Sequence, residues 1–412
     1  MRATTWSSVP VALLSLAFAA LAAEPAKPAA QKWDMACYGQ APKTYPAPGL
    51  EVPEVRSLFY DGPVFQGKPT RVFAYYGAPK TEPGKRVPAM VLVHGGGGTA
   101  FDRWVRLWNG RGYAAISMDL CGCVPVREVP KRWKRHEHGG PAGWGGFDQI
   151  DWPAHDQWTY QAIADILLAH SLIRSFPEVD PQRIGVTGIS WGGYLTSLVS
   201  GVDSRFRFAV PVYGCGYLGD NSAWLSNFER MNSDQRARWL GWWDPSVYLR
   251  QTKMPVLWVN GTNDFAYPMD SWQKSYRTPQ GPHTLCLRVR MPHGHGAAGE
   301  NPAEIHAMAE SFLNAAAPLA KLTGQGRRGD VAWVGYESAT PIARAELNFT
   351  RDDGRWQQRK WESAPAELDP AARRATARLP QGVKVYYLNL VDRRGLIVSS
   401  EHEVVPNAAK TP

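Results

Sequence analysis

Ser190, Asp264 and a histidine at 293 or 295 follow one another in an order that suits nucleophilic attack on an acyl group. A serine hydroxyl is a poor nucleophile at neutral pH. It needs an imidazole to take its proton, and the imidazole needs a carboxylate to fix its tautomer and stabilise its charged form. Ser190 lies in Gly188-Ile189-Ser190-Trp191-Gly192-Gly193, after the apolar Ile184 to Val186 and before Tyr194, Leu195, Leu198 and Val199 at helical spacing. A Gly-x-Ser-x-Gly pentapeptide alone fits an ordinary turn. An apolar strand before it and a helix after it select an elbow that holds the hydroxyl exposed. Asp264 stands in Asn260-Gly261-Thr262-Asn263-Asp264, directly after an apolar run, with Asp270 as the competing acid. In Met291-Pro292-His293-Gly294-His295-Gly296 the expected base is His295, flanked by glycine on both sides and six residues before a helix cap at Asn301. His293 is the alternative, and His283 falls at the wrong end of its strand.

Attack on an ester carbonyl creates an oxyanion that must meet preorganised N–H donors. The expected donors are the amide of Trp191, at the start of the helix after the serine, and that of Gly96, with Gly97 as a further candidate, in His94-Gly95-Gly96-Gly97-Gly98. His94 reads as structural. A phosphate-binding role for this glycine run is weak because the Lys-Ser/Thr of a P-loop is missing. Most of the 18 tryptophans are expected in the core, but Trp133, Trp144 and Trp152 fall on a long loop near the expected rim and are the candidate substrate-binding residues. Indole faces stack on sugar rings as well as on acyl groups. Cys121-Gly122-Cys123 has no matching second pair, and alternating residues such as His136-Glu137-His138 in a glycine-rich loop are more often solvated than metal-bound, so neither a metal nor a cofactor is expected.

These residues require a scaffold that brings strand ends together. Apolar strands are expected at Arg71 to Tyr76, Ala89 to Val93, Tyr113 to Met118, Ile184 to Val186, Phe208 to Tyr213, Val256 to Asn260 and Thr284 to Arg290, with helices between them. That alternation over about 70–320 predicts an α/β unit, a mostly parallel sheet with helices on both faces, whose ligands sit at the carboxyl ends of the strands. Beyond Thr323 short strands with turn signals predict a small all-β sandwich of immunoglobulin-like type. The segments are therefore a signal peptide at 1–23, a catalytic domain at 24–323 and a sandwich at 328–406.

The signal peptide rests on Arg2, the apolar run from Val9 to Leu21 and the small residues Ala22 and Ala23. It implies a secreted or periplasmic protein without a stable membrane anchor. In that compartment Cys37, Cys121, Cys123, Cys215 and Cys286 could form at most two disulfides, with the pairing open. The net charge of +9 is carried by dispersed basic residues, which speaks against a nucleic-acid partner. Oligomeric state is not readable.

The motifs at Val91 to Gly98, Gly112 to Asp119 and Val179 to Gly193, with the Asp264 and histidine loops, resemble the α/β-hydrolase superfamily. Within it the chain looks like the secreted acetylxylan-esterase, dienelactone-hydrolase and prolyl-oligopeptidase-like group. The resemblance covers roughly residues 50–320. It implies an α/β-hydrolase fold and a serine carboxylic-ester hydrolase that works through an acyl-enzyme, with a small ester or an acetylated polysaccharide as substrate. An exported aminopeptidase or acyl-peptidase is the alternative, for which Glu137 is the one loop residue that could meet a substrate amine. Two departures stand out. The oxyanion loop differs from the His-Gly-Tyr of many acetylxylan esterases, and the chain has too few residues before its first strand for an N-terminal propeller.

Overall fold

The apolar run at Val87–Val93 is buried along its whole length, as expected of a strand covered on both faces, and lies in the middle of a nine-stranded sheet. The computed structural model describes residues 30–126 and 132–406. The expected signal peptide lies outside the described residues. In chain order the strands of the first unit are β1 (Thr44–Pro46), β2 (Arg56–Asp61), β3 (Arg71–Gly77), β4 (Val87–Val93), β5 (Ala114–Met118), the hairpin pair β6 (Cys123–Pro125) and β7 (Trp133–Arg135), β8 (Val179–Ile189), β9 (Ala209–Val212), β10 (Val256–Gly261) and β11 (His283–Arg288). The helices are α1 (Asp102–Asn109), α2 (Trp158–Ser175), α3 (Trp191–Val202), α4 (Leu225–Glu229), α5 (Ser233–Trp243), α6 (Pro245–Leu249), α7 (Met269–Tyr276), α8 (Ala297–Glu300) and α9 (Ala303–Asn314).

The sheet order is β1-β2-β3-β5-β4-β8-β9-β10-β11. The first three strands and β5 pair antiparallel, and all later neighbours pair parallel. From β4 the chain crosses to β5 on one side and later enters β8 on the other. Crossovers in opposite directions open a crevice at the carboxyl ends of β4 and β8, the usual place for a ligand in such a sheet. The glycine run and Ser190 occupy those two ends.

The C-terminal strands are β12 (Lys321–Arg328), β13 (Val331–Glu337), β14 (Ile342–Thr350), β15 (Trp361–Asp369), β16 (Arg374–Arg378), β17 (Val385–Asp392), β18 (Ile397–Ser399) and β19 (Glu403–Val404), all paired antiparallel. β15 pairs with β14 through Trp361 to Ala366 and with β16 through Glu367 to Asp369, so one strand serves two layers. Trp356–Gln358, between β14 and β15, is a single 3-10 turn. β12 begins at Lys321, before the position at which strands were expected, because Gly324, Gly326 and its basic residues mask the strand pattern.

This unit packs on the edge strand β11. Leu287 N–H donates to Ser399 Oγ at 2.8 Å, and Ile397 N–H donates to Glu304 Oε1 at 2.8 Å. An open edge strand is a template for unwanted pairing, and the C-terminal unit covers it. All five cysteines are free thiols; Cys37 is exposed and the other four are buried. Among the described residues no helix is long and apolar enough to cross a membrane.

Candidate active site

At the end of β8 the backbone of Ser190 adopts φ 59° and ψ −120°, a strained conformation for a residue with a side chain. It is held there by Ser190 N–H, which donates to Val212 O at 2.9 Å, and by the start of α3. The elbow requires glycine where the helix passes under the sheet. A Cβ at Gly192 would lie 2.0 Å from Val93 O, and one at Gly188 would lie 2.2 Å from Gly192 O.

Two loops converge on the hydroxyl. Beyond β10, Asp264 is buried; its Oδ1 accepts from the N–H groups of Ala266 at 2.9 Å and Tyr267 at 2.8 Å. Its Oδ2 lies 2.6 Å from His293 Nδ1, and His293 Nε2 lies 2.8 Å from Ser190 Oγ. A carboxylate at Nδ1 holds the proton there, so Nε2 is free to accept from the serine hydroxyl. The ring of His293 is steadied between Tyr213, stacked at 4.6 Å, and Phe265, tilted at 4.6 Å. Asp270 is not in the relay, because both its oxygens accept from Asn221 Nδ2.

The expected base, His295, is displaced by its neighbour. Its Nε2 accepts from Gly95 N–H at 2.9 Å, and its Nδ1 donates to Glu300 Oε1 at 3.0 Å. Glu300 is in turn held by Arg103 at 2.6 Å. Burial lowers the pKa of His295, favouring the neutral ring that this acceptor role requires. Burial pushes the Glu300 carboxyl up, but the hydrogen bonds from His295 and Arg103 outweigh it and hold the group below its usual range. The physical reason for the exchange lies in the turn. Gly296, at φ 93°, lets the chain bend back into α8, which carries Glu300 against His295 and turns that ring toward the glycine loop.

His94 is fully buried, and burial lowers its pKa to about 3. Its Nε2 accepts from Leu120 N–H at 3.1 Å, so Nδ1 carries the proton and donates to Gly95 O at 2.9 Å. Gly95 is thereby pinned on both its carbonyl and its amide, with its Cα close beneath the nucleophile: a Cβ there would lie 3.0 Å from that of Ser190. This occupies the Gly95 amide and leaves Gly96, Gly97 and Trp191 as the oxyanion-hole candidates. Trp191 is the first residue of α3, and its N–H has no acceptor within the helix. Gly96 sits against the Trp191 ring, where a Cβ would lie 2.8 Å from Cδ1; Gly97 has φ 70°.

Trp133 and Trp144 border a 570 Å³ recess beside this loop, which also reaches Cys121 and Cys123. A Cβ on Gly96 would lie 3.6 Å from the Trp144 ring, and one on Gly97 would lie 3.9 Å from Trp133. Trp152 does not join them; it meets Phe65 at 6.4 Å instead. Among the described residues no group of three or more His, Cys, Asp or Glu side chains is placed to hold a metal. Sequence reasoning missed His295 as the partner of Gly95, as well as Glu300, Arg103 and Tyr213. The acidic residue five positions after His295 was the available signal.

With this geometry in hand, residues 50–237 match the acetyl xylan esterase family. Among solved structures, the acetyl xylan esterase from Paenibacillus sp. R4 superposes with a TM-score of 0.54 at 23% identity, covering 68% of this chain and 92% of that one. The chain has the α/β-hydrolase fold. Acetyl xylan esterase 1 from Thermoanaerobacterium sp. JW/SL YS485 gives 0.52 at 19% identity, covering 70% of this chain and 94% of its own. Among curated proteins, the chain is 26% identical over 208 residues to the uncharacterized peptidase YuxL of Bacillus subtilis, covering 46% of this chain. It is 24% identical over 213 residues to dipeptidyl-peptidase 5 of Porphyromonas gingivalis. It spans only 28% and 27% of the lengths of those two relatives. The family match ends before Asp264 and His293, so the acid and the base rest on geometry alone.

Proposed function

We propose that this α/β-hydrolase is a serine carboxylic-ester hydrolase that removes acetyl groups from a carbohydrate. The observation that carries the reading is the chain of short contacts from Asp264 through His293 to Ser190, at 2.6 and 2.8 Å. Ser190 Oγ attacks the ester carbonyl while His293 Nε2 takes its proton, and Asp264 stabilises the resulting imidazolium. The oxyanion points to the amides of Trp191 and Gly96. His293 then gives its proton to the sugar oxygen as the bond to the acyl carbon breaks, so the sugar leaves with a free hydroxyl and an acetyl group stays on Ser190. A water molecule, deprotonated by His293, releases acetate and restores the serine. Trp133 and Trp144 offer flat faces to the sugar beside the acyl site. The match to the acetyl xylan esterase family supports acetylated polysaccharide as the substrate class. The apolar N-terminal run supports export.

The likeness to the two peptidases favours a second reading, cleavage of an acylated or free-amino peptide. It would need an acidic residue at the site for the substrate amine. Glu137, the candidate for that role, lines a separate recess with Tyr45, Phe59 and Arg71. Hydrolysis of 4-nitrophenyl acetate and release of acetate from acetylated xylan, both lost in Ser190→Ala, are expected. Cleavage of aminoacyl-nitroanilides without acetate release would reverse the order of the two readings.

A further inference from the structure

The C-terminal unit reaches the active site. Asn263, next to the acid, donates from Nδ2 to three backbone carbonyls of that unit, Trp356 at 3.3 Å, Gln357 at 3.2 Å and Arg359 at 2.8 Å. This clamp sets Gln357, Gln358 and Arg359 across from the histidine loop and encloses a 390 Å³ recess that His293, Phe265 and Arg290 also line. Phe265 is 59% exposed and forms an apolar wall of this recess.

The recess is basic. Arg290 is exposed, and its side chain makes no hydrogen bond or ion pair among the described residues; its backbone is fixed at φ 50° by a bond from its N–H to Thr262 Oγ1 at 3.0 Å. Arg359 stacks over Trp356 at 3.7 Å and donates from Nε to Gly354 O, and its two terminal nitrogens have no partner among the described residues. Of the nearby carboxylates Asp264 is engaged by His293, Asp270 by Asn221 and Asp352 by Lys360 N–H, while the exposed Asp353 also acts on Arg359. Arg290 also borders a second, 680 Å³ cavity between the two units. That cavity is lined by Asn348, which is 1% exposed and whose Nδ2 has no hydrogen-bond partner among the described residues.

Resting on the ester-hydrolase reading, we propose that this recess is a subsite for a sugar carboxylate, so that the preferred substrate is an acetylated polysaccharide bearing uronic acid. The two guanidinium groups match a planar carboxylate in charge and in fork geometry. Phe265 gives the sugar ring an apolar face, and the side-chain amides of Gln357 and Gln358 meet its hydroxyls. The recess touches the base itself, so a uronate held there lies next to the sugar whose ester is cleaved.

Titration calorimetry on the full chain carrying Ser190→Ala tests this, with three probes: xylotetraose, xylotetraose bearing one glucuronic acid, and a sulfated oligosaccharide of equal length. The uronate probe should bind at least tenfold more tightly than the neutral one. That preference should fall to less than threefold in Arg290→Ala and also in Gln358→Glu, which adds a repelling charge at an exposed position without touching the clamp. Equal binding of the neutral and uronate probes, or a preference that survives both changes, overturns the proposal, and equal binding of the sulfated probe overturns its assignment to a carboxylate. Turnover of 4-nitrophenyl acetate by the unmodified enzyme is measured alongside. If it is absent, the ester-hydrolase reading fails; if it is present without uronate preference, only the subsite fails.

Discussion

Two histidines separated by one glycine hold opposite ends of the same machine, and alanine at each should give losses of different size. His293 has Ser190 Oγ at 2.8 Å on one nitrogen and Asp264 at 2.6 Å on the other. Removing it takes away the base for both half-reactions, and loss of a triad histidine lowers kcat on the order of 10⁶-fold. His295 touches no reacting atom. Its Nε2 holds the Gly95 amide at 2.9 Å, and the loop beyond Gly95 carries the proposed oxyanion donor Gly96. In His295→Ala that amide and the Glu300 carboxylate each lose a partner, at a cost of about 1–3 kcal/mol in stability for each buried group left unsatisfied. The catalytic loss is bounded by outright deletion of an oxyanion donor, about 10²–10³-fold or ~3–4 kcal/mol. The fall should appear in kcat with KM little changed, because the donor acts on charge that develops in the transition state. His295→Gln should recover most of it, since its carbonyl can accept the same N–H. Steady-state hydrolysis of 4-nitrophenyl acetate measures all three variants, with circular dichroism to confirm folding. A folded His295→Ala as inactive as His293→Ala, or a His293→Ala within tenfold of the unmodified enzyme, would refute the assignment.

Other consequences follow from burial and contact. Ellman's reagent should titrate one thiol in the native protein, Cys37, and five after unfolding without reductant; fewer than five would mean a disulfide exists. Gly192→Ala places a methyl group 2.0 Å from Val93 O, between backbones that cannot separate without breaking the elbow; a loss at or above the upper end of the ~1–3 kcal/mol overpacking range should show as a lowered denaturation midpoint. Burial lowers the pKa of His402 to about 3, below the ordinary value of 6.5. The unfolded chain therefore binds a proton that the folded one does not. The stability held above pH 6.5 is lost as pH falls toward 3, by about 1.4 kcal/mol per pH unit, or about 2 kcal/mol by pH 5. In His402→Gln this contribution vanishes, so urea-unfolding curves for the two proteins should converge by that amount between pH 7 and 5; a constant difference would mean that His402 is not neutral in the fold.

The centre of the sheet was legible because two-sided burial leaves a plain trace. Val87–Val93 and Ala114–Met118 are buried at every position, and a continuous apolar run is the pattern such strands must have. The strands at the margins were not legible. Thr44–Pro46 has three residues and a proline, and Arg56–Asp61 mixes charge with aromatics because its neighbour β1 is short and leaves part of it in water. Ser190 and Asp264 could be read because each directly follows a strand in the required order. Trp152 could not be placed, since proximity in a loop of this length says little about which side chains reach one rim.

The choice between His293 and His295 shows where residue type stops being informative. Both rings stand in the same turn, each has an acid at Nδ1, and each presents Nε2 to a donor. What separates them is the nature of that donor. The serine hydroxyl can surrender its proton and become a nucleophile, whereas the Gly95 amide cannot, so the same imidazole–carboxylate pair is a base in one place and a fixed acceptor in the other. The glycines flanking His295, taken from sequence as room for a catalytic loop, are what allow the chain to fold back and deliver that ring to the amide. A histidine held by a backbone N–H cannot accept a proton from substrate without releasing the loop that stabilises the transition state. In the proposed reaction, a base one step earlier, at His293, moves protons while the loop held by His295 stays still.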